Sequence, residues 1–179
     1  MIAGTTPMRG EGAAVPPASN VLGREHSHDS TVAVALRRQV ANAFLLFANY
    51  KRYHWQAFGP HFRELHKLFD ELASDVLTSI DPLAERIRMI GPDPPAHPLE
   101  WSELATVSAA PTLTTVRQMI EEADHNALLV VREMREGAAL ADKHHDPGTV
   151  DLFTRFVQMH EKHEWWLRDT LRSGDGFRA

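Results

Sequence analysis

The sequence predicts an all-α chain, a four-helix bundle with one short extra helix, and three observations carry that reading. Apolar residues recur every three or four positions through four long stretches. No stretch alternates apolar and polar at period two, as a half-buried strand would. Gly and Pro punctuate the joins, at Gly59-Pro60, at Gly91-Pro92 and at Asp146-Pro147.

The elements follow in order. Residues 1–28 are rich in Gly, Pro, Ala, Ser and Thr without periodicity and read as a flexible tail. The bundle is expected over 29–172, with a short C-terminal tail at 173–179. Asp29 or Ser30 can cap the first helix, whose apolar positions include Val34, Leu36, Val40, Phe44 and Phe47. Gly59-Pro60 ends it. The second helix is expected from about His61 to Ile90, with Phe62, Leu65, Leu68, Phe69, Leu72, Val76, Ile80, Leu83 and Ile87 as its stripe. Gly91 and the proline-rich run PDPPAHP stop it, and LEWSELATV supplies the short amphipathic piece. Thr112 or Thr114 opens the third long helix. Asp146 then offers a capping carboxylate and Pro147 a proline at the first helical position, starting a fourth helix that runs to about Leu171. Such a pattern is most simply satisfied by a four-helix bundle.

Composition narrows the chemistry. The formal charge of −5 argues against a chain that grips nucleic acid through its overall field. With no cysteine, disulfides, thiolate metal sites and cysteine nucleophiles are excluded. No apolar run approaches the roughly 20 residues of a membrane span, and the N-terminus lacks the apolar core of a signal peptide. The expectation is a soluble, cytoplasmic protein without a membrane partner, nucleoid-associated only if it binds DNA. Eleven histidines in 179 residues are the compositional clue.

They concentrate where chemistry can use them. In YHWQAFGPHFRELHKLFD, His54 closes the first helix, and His66 and Asp70 share one face of the second at i, i+4. Asp81 and Glu85 repeat that spacing further along. Imidazole nitrogen and carboxylate oxygen together suit Fe, Mn or Zn. Taken singly, each pair also has an ordinary reading as a solvated face, and a lone His54 as a hydrogen-bonded bundle histidine. Eleven residues of helix separate Asp70 from Asp81, about 16 Å of rise, so one chain cannot bring both pairs to one small site. Two copies of this helix, antiparallel about a two-fold axis near Asp75 and Val76, would join each histidine end to the partner's acidic end.

The run HWQAFGPHFRELHKLFDELASDVLTSIDPLAERIRMIG resembles the signature of the Dps family (DNA-binding protein from starved cells), the miniature ferritins. TVDLFTRFVQMHEKHEWWLRD resembles the family's last helix, and the likeness spans about residues 30–172. It implies a hollow homododecamer of ferritin-like subunits that oxidises Fe(II), preferably with hydrogen peroxide, and stores ferric iron against oxidative damage. It implies intersubunit ferroxidase centres, with His54, His66 and Asp70 from one subunit and Asp81 and Glu85 from its partner. Trp55 matches a family tryptophan thought to intercept radicals.

Several features sit less simply. Pro82 follows Asp81 inside the second helix and predicts a kink. Lys67 stands where family members often carry an acid. Glu122 and His125 form a Glu-x-x-His, but His160 and His163 bring no matching Glu, so interhelical hydrogen bonding is the simpler role for the three histidines. His26 and His28 in the tail can chelate a metal. The resemblance makes Asp146 and Asp151 candidates for a three-fold iron pore, with a helix cap as the plainer role for Asp146. Arg9 and Arg24 are balanced by Glu11, Glu25 and Asp29, and twelve such chains would carry about −60 between them, so DNA binding is expected to be weak or absent. The rival readings are a shell whose sites hold Zn, which outcompetes Fe(II) at N and O ligands, and a DNA-coating shell, which the charge disfavours.

Overall fold

The computed structural model of the chain describes residues 30–112 and 115–172. It contains α1 (Thr31–Gln56), α2 (Phe62–Ile90), the short α3 (Pro98–Leu104), α4 (Val116–Lys143) and α5 (Pro147–Leu171). Among the described residues there is no strand. Residues 1–28, with the candidate ligands His26 and His28, together with Asp29 and residues 173–179, lie outside the described residues.

Local chemistry explains the boundaries. Ser30 caps α1, its hydroxyl accepting from the Ala33 amide at 3.1 Å. Gly91 ends α2 at φ 125°, a conformation that a residue with a Cβ resists. Asp146 caps α5 and Pro147 occupies its first turn, as expected. One expectation needs correction. The cap of α4 is Thr115, one position beyond Thr114, where a reciprocal box with Gln118 satisfies both amides. Pro82 lies inside α2, which runs on through it.

The two long hairpins, α1 with α2 and α4 with α5, pair most extensively; α1–α4 contacts join them, and α2 meets α5 only sparingly. The core stripe of α1 is Val32, Leu36, Val40, Leu46, Tyr50 and Tyr53, while Val34 turns outward and Phe44 and Phe47 are only half-buried. On α2, Leu65, Phe69, Leu72, Val76, Leu83 and Ile87 are buried as predicted, but Phe62 is exposed. By length and mean hydropathy α1 would suffice for a membrane span, contrary to the expectation that no apolar run approaches one. Half of that apolar stretch is buried against the other helices, as in the core helix of a bundle.

The segment between α3 and α4 is strapped to α1 by side-chain amides. Asn42 Oδ1 accepts from the Thr106 and Val107 amides at 2.9 and 3.1 Å. Asn49 Oδ1 accepts from the Ala110 amide at 2.8 Å while its Nδ2 donates to the Ser108 carbonyl at 2.9 Å. Backbone groups with no helix or sheet of their own are satisfied in this way. Phe44 stacks on Trp101 at 3.7 Å, which seats α3 against α1.

Candidate metal centre

The turn at Gly59-Pro60 folds the end of α1 against the start of α2, so residues twelve apart in sequence become neighbours. The rings of His54 and His66 stack, centroids 3.6 Å apart and planes 22° from parallel. Their Nδ1 atoms make reciprocal bonds. His54 Nδ1 donates to the His66 carbonyl at 2.7 Å, and His66 Nδ1 donates to the His54 carbonyl at 2.7 Å. A carbonyl only accepts, so each Nδ1 must carry a proton and each neutral ring keeps its lone pair on Nε2. Metal-ligating histidines are commonly oriented in this manner.

Asp70, one turn beyond His66, is exposed, and its Oδ1 lies 3.9 Å from His54 Nδ1. It is not free. Lys51 Nζ donates to it at 2.7 Å, and that bond above all holds its carboxyl below the usual range. Lys51 also stands 5.9 Å from the Trp55 ring, which is 71% exposed beside the histidines. Lys51 was not singled out in the sequence, although its i, i+3 spacing to His54 places both on one face of α1.

Asp81 and Glu85 are exposed on the outer face of α2, with Ser74, Leu77 and Thr78 between them and Asp70. Within one chain, the described residues bring no three His, Asp or Glu side chains into metal-binding range. The histidine pair at the α1–α2 turn and the acidic pair further along α2 thus remain apart within one chain. Lys67 is exposed beside His66.

The other candidates divide. Asp146 is buried, and its oxygens take bonds from Arg86, from the Thr149 amide and from the Thr149 hydroxyl. Burial raises its carboxyl, but those bonds outweigh that and hold it low. Asp146 thus serves as the cap of α5, and Asp151 is exposed. His163 Nε2 bonds Asp75 Oδ2 at 3.1 Å, an interhelical bond as expected. His160 departs from expectation. It is buried with neither ring nitrogen bonded, and desolvation pulls its pKa down to about 3. His125 is exposed, while Glu122 is raised by desolvation and faces Tyr53, whose buried hydroxyl has no partner of ordinary geometry.

With this geometry in hand, likeness to known proteins is decisive. The ferritin-like domain family matches residues 33–176. DNA protection during starvation protein 2 of Bacillus anthracis is 34% identical over 140 residues, 78% of this chain and 96% of that protein. The chain belongs to the Dps family of ferritin-like proteins. General stress protein 20U of Bacillus subtilis is 34% identical over 76% of this chain and 94% of its own length. Among solved Dps structures, that from Thermosynechococcus elongatus superposes with a TM-score of 0.80 at 46% identity, covering 83% of this chain and 94% of that one. The Dps protein of Vibrio cholerae O1, described as a member of a broad superfamily of ferritin-like diiron-carboxylate proteins, gives 0.81 at 26% identity over 89% of this chain and 100% of its own.

Proposed function

We propose that this Dps-family chain is a ferroxidase that oxidises Fe(II), preferably with hydrogen peroxide, and stores the ferric product inside a hollow homododecamer, limiting oxidative damage. The observation that carries the reading is the locked histidine pair, with two Nε2 lone pairs presented beside Asp70. A metal there needs further anionic ligands, and Asp81 and Glu85 stand exposed on the same face of α2. They reach it from a second copy packed antiparallel about an axis near Asp75. Leu77, half exposed at that level, is an apolar residue for such an interface to cover.

The residues then have distinct tasks. The neutral imidazoles donate nitrogen without adding charge, and the carboxylates offset the charge of two Fe(II) ions held together as substrate. Each Fe(II) gives one electron. The peroxide O–O bond takes both electrons and two protons to yield two waters, so no hydroxyl radical leaves the site. Trp55, exposed beside His54, is placed to be oxidised by any that does. Zn(II) suits the same donors and is expected to inhibit by occupancy. The reading assigns the chain to the cytoplasm.

Mixed assemblies test the shared site. A chain carrying His66→Ala and a chain carrying Glu85→Ala should each be inactive alone. In a mixed dimer one site holds both lesions and the other keeps every ligand, so a measurable fraction of peroxide-dependent Fe(II) oxidation should return. No recovery in verified mixed dimers overturns the intersubunit reading.

A further inference from the structure

Four of the five proposed ligands sit on α2, yet α2 meets α5 only sparingly. Two polar clamps make the link. Asp75, between the two ligand pairs, takes His163 Nε2 at 3.1 Å and lies 3.5 Å from Lys162 Nζ. Arg86, immediately after Glu85, donates Nε to Thr149 Oγ1 at 3.0 Å and Nη2 to Asp146 Oδ1 at 2.5 Å. Asp146 is itself fixed, because it caps α5 through the Thr149 amide at 3.1 Å.

Pro82 stands between these clamps. It has no N–H, so the Thr78 carbonyl lacks its helical partner, and the backbone ladder is interrupted one turn before Arg86. Hydrogen bonding along α2 therefore ties Asp81 and Glu85 to Asp70 less firmly than in an unbroken helix. Successive helical side chains point about 100° apart, which lets Glu85 face outward while Arg86 reaches α5. Glu85 is exposed, and the Arg86 side chain is 18% exposed. Gly148 makes room for it. A Cβ there would lie 3.0 Å from Arg86 Cζ and 3.1 Å from both terminal nitrogens.

We propose that Arg86, gripped by Asp146 and Thr149 across the bare Cα of Gly148, is a positioning residue that sets where Asp81 and Glu85 meet the metal. The inference rests on the intersubunit centre proposed above. Two variants of the assembled protein test it, Arg86→Gln and Gly148→Ala, with anaerobic Co(II) as the probe. Wild type should show visible Co(II) bands that His54→Ala abolishes. Both variants should assemble by size exclusion and keep their helix content, because Asp146 still caps α5. Both should bind Co(II) at this centre roughly tenfold more weakly, the scale seen when groups supporting metal ligands are removed, and with shifted bands. Arg86→Lys should recover part of the affinity, since an ammonium reaches Asp146 but cannot also serve Thr149 as the fork does. Lowered thermal stability with unchanged Co(II) affinity and spectrum would show a merely structural role and overturn the proposal. If Arg86→Gln fails to assemble, Gly148→Ala decides alone. A wild type without a His54-dependent Co(II) signal refutes the centre itself, a different failure.

Discussion

His160 should make this protein lose stability in mild acid, and by a calculable amount. The ring is 1% exposed with no partner for either nitrogen, and its pKa is drawn from 6.5 to about 3. Folded protein keeps the ring neutral, whereas unfolded chain protonates it below about pH 6.5. The unfolded state therefore binds the extra proton between pH 6.5 and 3. The stability held above 6.5 is lost as pH falls through that window. At about 1.4 kcal/mol per pH unit, the loss reaches ~2 kcal/mol by pH 5. His160→Leu, close in volume, removes both the titration and the orphaned nitrogens. Guanidinium unfolding of both proteins, followed by tryptophan fluorescence with chelator present and at equal concentration, gives the comparison at pH 7.5 and pH 5. The variant's advantage should grow by ~2 kcal/mol between the two pH values. Parallel behaviour would mean that His160 is protonated, or solvated, in the folded protein.

Other expectations can be checked directly. Lys51→Ala should tighten Zn(II) binding several-fold at neutral pH, because the ammonium no longer competes for Asp70; unchanged affinity would show that metal never displaces it. Asn49→Leu should cost about 2 kcal/mol by leaving the Ser108 carbonyl and Ala110 amide unpaired. Hydrogen exchange should rise first across residues 105–112, and a uniform rise would contradict that local account. The assembled protein should not retard DNA in a gel at neutral pH and moderate salt. Retardation that survives removal of residues 1–28 would locate a positive surface on the bundle itself.

What the sequence revealed was what local chemistry controls. Helix period, Ser30, Gly91 and the Asp146-Pro147 start all act within a turn or two, and their outcomes were legible. So was the i, i+4 spacing of His66 with Asp70, since a helix fixes it. Thr115 was missed although Thr-x-x-Gln was in plain view, because three threonines compete within four residues. The larger surprises concern partners chosen over long separations. Nothing local says that Asp146 spends its carboxylate on Arg86, 60 residues away. Likewise, Lys51 meets Asp70 only after the turn at Gly59-Pro60 has folded, and His160 is stranded only once four helices have closed around it.

The reciprocal bonds between His54 and His66 end on main-chain oxygens, not on side chains. A substitution deletes a side chain and leaves its carbonyl in place. His54→Ala thus removes one of the proposed metal donors but leaves His66 its acceptor, so the surviving imidazole keeps its proton and its aim. The two histidines steady each other without depending on each other's identity. Sequence drift can exchange one of them while the other remains in service, and a designer can swap in a carboxylate or an amide one position at a time.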